Sequence, residues 1–208
     1  MILFNKDSTN RQEEFNEFFK ITPFDPTNFD HEVIRRLTLD YDRYHEANML
    51  AEYLDKGPKL KILEFGCGVS DYGLVLRANG HEIVLADVPT VLDFALYRHK
   101  KYFEKDMCKI YCGDQVIHIA EGFDLILTAE SFDHVSQPFE TLLEFDGHAP
   151  WLVTTGYPFK YKTDGKHSFI TVEQAPACEK FLRDNYNIEV YPSLEERKKF
   201  FICKKKEK

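Results

Sequence analysis

The sequence contains no apolar run that approaches the ~20 residues a helix needs to cross a bilayer. It also lacks an excess of positive charge, since 27 lysines and arginines face 35 aspartates and glutamates and the formal net charge is −8. That balance argues against a broad nucleic-acid-binding face and against anionic membrane surfaces. We therefore expect neither nucleic acid nor membrane among the partners.

Cysteine is sparse: the sequence has five cysteines, which is an odd number, and they are widely spaced. The segment Met1–Asn5 is too short, and too soon interrupted by charge, to be a signal peptide. These features predict reduced thiols in a cytoplasmic protein. Cys108 and Cys112 could supply half of a metal site, but no second pair matches them, so no metal is expected.

Hydrophobic residues make up 43% of the 208 residues and include 18 phenylalanines and 11 tyrosines, which is enough for one globular domain. The front of the chain is predicted to be helical over Arg11–Lys20 and His31–Leu54, up to the break at Gly57-Pro58. We expect residues 1–57 to form an N-terminal helical cap that belongs to the same unit as a main domain over residues 58–208.

Beyond residue 58, short apolar runs alternate with helical segments. Strands are predicted over residues 61–65, 82–86, 109–111, 123–128, 151–155, 188–191 and 200–203. Helices between strands imply right-handed crossovers, and hence an α/β fold with a mostly parallel sheet covered on both faces. The last two strands are joined by only about eight residues, too few for a crossover, and are predicted to be antiparallel.

A glycine-rich turn follows the first strand and reads Glu64-Phe65-Gly66-Cys67-Gly68-Val69-Ser70-Asp71. Gly66 and Gly68 lack a Cβ, so a ligand can approach the backbone closely. A dinucleotide fingerprint would need a third glycine at Asp71, where a carboxylate has the wrong sign for a pyrophosphate. Nicotinamide and flavin dinucleotides are therefore disfavoured, and no Gly-Lys-Ser/Thr of a P-loop follows.

Two aspartates follow the next strands. Asp87 ends the second strand, where such folds place a carboxylate that accepts hydrogen bonds from a ribose diol. Asp114, just after the third strand, is placed to reach an adenine edge. Together they describe a pocket for a nucleoside without phosphates, and Glu64 adds negative charge that suits a cationic ligand.

These motifs, with the segment Phe123–Glu130, resemble the class I S-adenosylmethionine-dependent methyltransferases. The resemblance covers roughly Lys59–Lys204 and is closest to the small-molecule branch that includes the ubiquinone-biosynthesis type. It implies a Rossmann-like class I methyltransferase fold: a mostly parallel seven-stranded sheet with an antiparallel last strand, preceded here by the helical cap. S-adenosyl-L-methionine is the implied cofactor.

The resemblance assigns the first cofactor-binding residues to the turn. The backbone of Gly66, Cys67 and Gly68 should line the methionine and ribose end, with Glu64 supporting it from the strand. Asp87 should bind the ribose hydroxyls.

The remaining cofactor contacts implied by the resemblance lie further along the chain. Val88 should pack on the adenine, and Asp114 should meet the adenine amino group with Gln115 beside it. Glu130 and Ser131, past the fourth strand, should face the methionine portion and the substrate entrance.

Two histidines are candidate general bases, His134 after the fourth strand and His167 in a loop before the last helix. For His134 a role in capping or packing the following helix is slightly favoured over catalysis, and His167 is an equal candidate with the same alternative. The predicted function is transfer of a methyl group to oxygen or nitrogen of a small organic acceptor. The alternatives are a non-catalytic protein with this fold or, less favoured, a protein or RNA methyltransferase. The acceptor and the oligomeric state stay open.

Overall fold

The computed structural model describes residues 10–21, 23–39, 43–103, 109–111, 119–129, 131–156, 158–159, 169–191 and 199–207. Seven helices lie within these residues: α1 (Arg11–Phe18), α2 (Phe29–Leu39), α3 (Tyr44–Leu54), α4 (Asp71–Ala78), α5 (Pro89–Tyr102), α6 (Pro138–His148) and α7 (Phe169–Asn185). The strands are β1 (Lys61–Phe65), β2 (Glu82–Asp87), β3 (Lys109–Tyr111), β4 (Leu125–Thr128), β5 (Trp151–Thr154), β6 (Tyr186–Tyr191) and β7 (Phe200–Lys205). In this part of the chain, no helix is both long and apolar enough to span a membrane.

The strands follow the order β3-β2-β1-β4-β5-β7-β6. The pairs β1/β4, β2/β3 and β4/β5 are parallel, whereas β7 is antiparallel to both β5 and β6. Strands β1, β2, β4 and β5 are buried along nearly their whole length, as parallel strands covered by helices require. The predicted seven-stranded, mostly parallel sheet with an antiparallel last strand is confirmed, with small shifts at the strand ends.

The chain divides into two compact units, the first formed by Met1–Lys59 and Cys67–Tyr111. It contains α1 to α5, β2 and β3. An apolar core joins α1, α2 and α5 around six buried residues, which are Phe15, Phe19, Ile34, Val69, Val91 and Phe94. The single helix predicted over residues 31–54 is wrong: α3 begins anew after Arg43, whose backbone angles of −113° and 6° are not helical.

The second unit is formed by Leu60–Gly66 and Cys112–Lys208 and contains β1, β4 to β7, α6 and α7. Helix α6 starts at Pro138, a residue whose fixed φ suits the first helical turn. The backbone N–H of Phe139 donates to Oε1 of Gln174 at 2.9 Å, which ties α6 to α7. This division does not test the expected boundary between residues 57 and 58, which stays a prediction.

Candidate functional site

The turn after β1 contains three residues with a left-handed backbone. Gly66, Gly68 and Ser70 have φ values of 62°, 53° and 55°, and Ser70 is the one non-glycine residue with positive φ among the described residues. Left-handed geometry costs an L-residue roughly 1–2 kcal/mol, which explains the glycines and marks Ser70 as strained. The chain passes from the second unit to the first between Gly66 and Cys67.

In the second unit, Ser131 lies directly against Gly66. A Cβ built on Gly66 would overlap the Cβ of Ser131, so a larger residue there forces its surroundings to shift. The hydroxyl of Ser131 donates to the carbonyl of Phe65 at 2.8 Å and thereby joins the segment after β4 to the end of β1. Glu64, predicted to support the turn, is buried in the same strand.

In the first unit, the structure brings together Gly68, Asp87 and Val88. The carboxylate of Asp87 accepts the backbone N–H of Gly68 through one oxygen and that of Val88 through the other, both at 2.7 Å. Burial raises the pKa of Asp87; the two hydrogen bonds oppose this rise, and the charge of Asp30 adds to it. The end of β2 thus presents an oriented, half-buried carboxylate beside the glycine turn.

Helix α2 covers this turn, which the sequence did not indicate. A Cβ on Gly68 would lie 2.9 Å from Cδ1 of Leu37, the flexible end of a side chain. Leu37, Val33 and Val88 pack together on the phenylalanine-rich core. The side of Gly68 that faces the N-terminal helices is therefore apolar.

A cluster of buried charges also contacts the turn and was missed from the sequence. Arg98, on α5, is fully buried and pairs with Glu14 and Asp71, at 2.7 and 2.9 Å. Arg11 forms a second ion pair with Asp71. Burial alone would raise the pKa of Asp71, but Arg98 and then Arg11 outweigh it, so this pKa is lowered.

His99, next to Arg98, contacts the strained serine of the turn. Its Nε2 lies 2.9 Å from the Ser70 hydroxyl, and its Nδ1 lies 3.3 Å from Nη1 of Arg77. Burial first, and then the charges of Arg77 and Arg98, hold the pKa of His99 well below its ordinary value. A neutral His99 therefore steadies Ser70.

The other predicted site residues are placed as follows. Cys67 is buried in the turn, with its Sγ 3.7 Å from the carbonyl oxygen of Gly68. His134 lies on a 3-10 turn with 63% of its side chain exposed, and its Nε2 is 3.8 Å from a carboxylate oxygen of Asp133. The predicted residues outside the described part of the chain are Asp114, Gln115, Glu130 and His167. Within the described part, no cluster of potential metal ligands is found.

The fold is shared with solved methyltransferases. Magnesium protoporphyrin IX methyltransferase of Synechocystis, solved with bound S-adenosylhomocysteine, has a TM-score of 0.57 and 13% identity, over 94% of this chain and 95% of that one. Its complex with S-adenosylmethionine scores 0.56 at 14% identity, over 91% and 88%. An S-adenosylmethionine-dependent methyltransferase of Clostridium acetobutylicum scores 0.59 at 11% identity, over 94% and 99%.

No family model matches the sequence, and no curated protein matches it. At these identities the likeness is one of fold. The architecture is thus the Rossmann-like class I methyltransferase fold, as the resemblance of the turn and the aspartates implied.

Proposed function

We propose that this protein is an S-adenosylmethionine-dependent methyltransferase. The observation that carries the proposal is the carboxylate of Asp87, held at the end of β2 by the N–H groups of Gly68 and Val88. It occupies the place where nucleotide-binding sheets present an acid to a ribose. Neighbours with this fold were crystallised with S-adenosylmethionine and S-adenosylhomocysteine.

The donor and acceptor chemistry of this site fits an adenosine sulfonium compound. Each oxygen of Asp87 accepts one backbone N–H, and a carboxylate has about four acceptor positions, so each oxygen keeps one for a ribose hydroxyl. Asp30 adds a second negative charge that acts on Asp87. Such a field disfavours a phosphate and favours a ligand with an uncharged ribose and a positive sulfur.

Each residue of the site has a defined task in this proposal. When bound, S-adenosylmethionine supplies a methyl group already activated by its positive sulfur. Asp87 would bind and orient the ribose, Val88 would pack on the adenine, and the backbone of Gly68 would allow close approach. Because alignment alone contributes ~7–11 kcal/mol to such reactions, the chain's main work is to orient the reactants and exclude water.

The proposal extends to the other residues that the resemblance assigns. Glu64, Gly66 and Cys67 would complete the turn's side of the site. Asp114 and Gln115 would meet the adenine edge.

On the acceptor side, we propose a small organic molecule methylated on oxygen or nitrogen. Glu130 would border the methionine end. His134, whose side chain is accessible, and His167 are the proposed bases. Loss of methyl transfer in His134→Ala with unchanged affinity for S-adenosylhomocysteine would support a role in proton removal.

Calorimetry with S-adenosylmethionine and S-adenosylhomocysteine tests cofactor binding directly. We expect both to bind, and Asp87→Ala to weaken binding about tenfold or more, because charge-assisted hydrogen bonds to the ribose are lost. Asp93→Ala is the matched control: Asp93 lies on α5 in the same unit, is 54% exposed and pairs loosely with Lys109 at 3.6 Å. Absence of binding by the unaltered protein would overturn the proposal.

Transfer of a labelled methyl group into a metabolite pool then separates the enzyme from its alternative. Labelled small molecules support the proposed function. Binding without transfer to any acceptor would favour a non-catalytic protein with this fold, and label in protein or RNA would redirect the acceptor class.

A further inference from the structure

The side chain of Arg98 is the centre of the buried charge cluster. Its guanidinium donates to the carboxylates of Glu14 and Asp71 at 2.7 and 2.9 Å, to the hydroxyl of Tyr44 at 2.6 Å, and to the carbonyl of Val69. The side chain is fully buried. Four of the five N–H donor positions of an arginine can be accounted for in this way.

Two of these partners belong to the turn that carries the proposed cofactor site. Val69 lies between the left-handed residues Gly68 and Ser70, and Asp71 begins α4. A left-handed backbone is strained and persists only when its surroundings hold it. Arg98 donates hydrogen bonds to Val69 and Asp71, and Asp87 accepts one from the N–H of Gly68.

The other partners of Arg98 belong to the N-terminal helices. Glu14 lies on α1 and Tyr44 on α3, 84 and 54 positions from Arg98 in the sequence. Arg11, also on α1, pairs with Asp71 and donates to the carbonyl of Thr38 at 3.2 Å. The cluster therefore joins the N-terminal helices to the turn through the side chains of Arg98 and Arg11.

The charges of this cluster balance, since two arginines (Arg11 and Arg98) face two carboxylates (Glu14 and Asp71), and all four are buried. A buried charge that loses its partner is strongly unfavourable, because no water replaces the lost interaction. Undocking α1 would remove Glu14 and Arg11 together and would leave Arg98 and Asp71 to rearrange. The docked position of α1 and the conformation of the turn are thus mutually dependent.

We infer that Arg98 is a positioning residue for the cofactor-binding turn, and that cofactor affinity depends on the docking of α1 through Glu14. This inference rests on the proposed function, since it assigns a task to residues that do not touch the cofactor. Coupling between two sites is reciprocal: if docking of α1 favours the cofactor, the cofactor favours docking of α1 by the same factor.

Two substitutions on α1 test whether cofactor affinity depends on Glu14. Glu14→Gln keeps the size of the side chain but removes the charge that Arg98 meets. Glu17→Gln is the matched control, because Glu17 is 34% exposed and bonds Tyr97 and Lys101 rather than the turn. At a temperature where both variants are folded, Glu14→Gln should weaken S-adenosylhomocysteine binding about tenfold, and Glu17→Gln less than about twofold.

Equal affinities for the unaltered protein and a folded Glu14→Gln variant would overturn the inference. If that variant does not fold, Arg98→Lys replaces it, because lysine keeps the charge but cannot form the forked contacts. The same loss of affinity is expected, and full affinity in Arg98→Lys contradicts the positioning role.

Hydrogen exchange of the unaltered protein tests, without any variant, whether the cofactor favours docking of α1. S-adenosylhomocysteine should slow exchange of amides in α1, and leave those in α7 unchanged. Unchanged α1 amides beside slowed amides over residues 68–71 would refute the coupling. If the unaltered protein binds no S-adenosylhomocysteine, the proposed function fails, and the positioning role is decided separately. In that case the positioning role requires that the backbone amides of residues 69–74 exchange faster in Glu14→Gln than in Glu17→Gln.

Discussion

The first unit contains a buried cluster of ion pairs besides exposed ones such as Lys101–Glu17, and exposed pairs of the second unit offer a comparison. In the first, Arg98 and its partners Glu14 and Asp71 are buried, with 0–2% of these side chains exposed. In the second, charged pairs such as Lys205–Asp146 and Lys180–Asp184 are 24–76% exposed. A sheet of paired strands is held by its own ladder and apolar core, whereas a turn with a left-handed backbone needs side-chain partners. In this protein the buried ion pairs of Arg98 lie beside the left-handed turn that follows β1.

The largest expected effect comes from removing the centre of the buried cluster. Arg98→Met should lower the free energy of unfolding by ~3–5 kcal/mol, because Glu14 and Asp71 lose a buried partner. Lys205→Met, in an exposed pair of the second unit, should cost less than ~1 kcal/mol. Urea unfolding measures both variants. Similar costs for the two would remove the contrast between the units.

The next effect compares the two glycines of the turn. Gly66→Ala and Gly68→Ala should each cost roughly 1–2 kcal/mol, because both positions are left-handed. Gly66→Ala should cost a further ~1–3 kcal/mol, since its Cβ meets the Cβ of Ser131, whereas Leu37 can move its side-chain end away from Gly68.

Urea unfolding again gives the values, and Ser131→Gly in the Gly66→Ala background should recover part of the loss. No recovery would mean that the left-handed backbone alone sets the cost at Gly66.

A smaller effect follows from the lowered pKa of His99. Well above pH 6.5 the residue is neutral in both folded and unfolded chains, and its contribution to stability is complete. As the pH falls below 6.5, the unfolded chain takes up a proton that buried His99 refuses, so stability falls by up to ~1.4 kcal/mol per pH unit until the lowered pKa is reached.

Burial also lowers the pKa of His81, which adds a pH dependence of the same sign. The contribution of His99 is therefore isolated by the difference in the pH slope of the unfolding free energy between the unaltered protein and His99→Gln. His99→Gln should flatten the dependence of the unfolding free energy between pH 6.5 and pH 5.5 relative to the unaltered protein. An unaltered slope in His99→Gln would place the proton uptake elsewhere.

The smallest effect is expected on the surface of the second unit. Lys180→Ala breaks a pair with Asp184 on α7, at 2.5 Å, in which both side chains are more than half exposed. Its cost should be ~0.3–0.5 kcal/mol, measured by thermal unfolding at low salt and reduced further at high salt. A cost as large as that of Arg98→Met would contradict the comparison.

The sequence by itself determined the strands, their predominantly parallel arrangement and the place of Gly68, Asp87 and Val88. These features depend on local patterns: apolar runs, glycine where φ is positive, and an acid at the end of a strand. The same local reasoning failed over residues 31–54, where apolar spacing continued through Arg43 although the helix did not.

Only the tertiary structure decided which side chains hold the turn. Arg98 and Glu14 are separated by 84 positions, and each in isolation reads as an ordinary charge on an amphipathic helix. A buried ion pair needs partners from different elements, so no spacing within one element can indicate it. The sequence thus determined the strands and the place of Asp87 at the end of β2, and the contacts of Glu14 on α1 and Tyr44 on α3 with Arg98 on α5 decided how the turn is held.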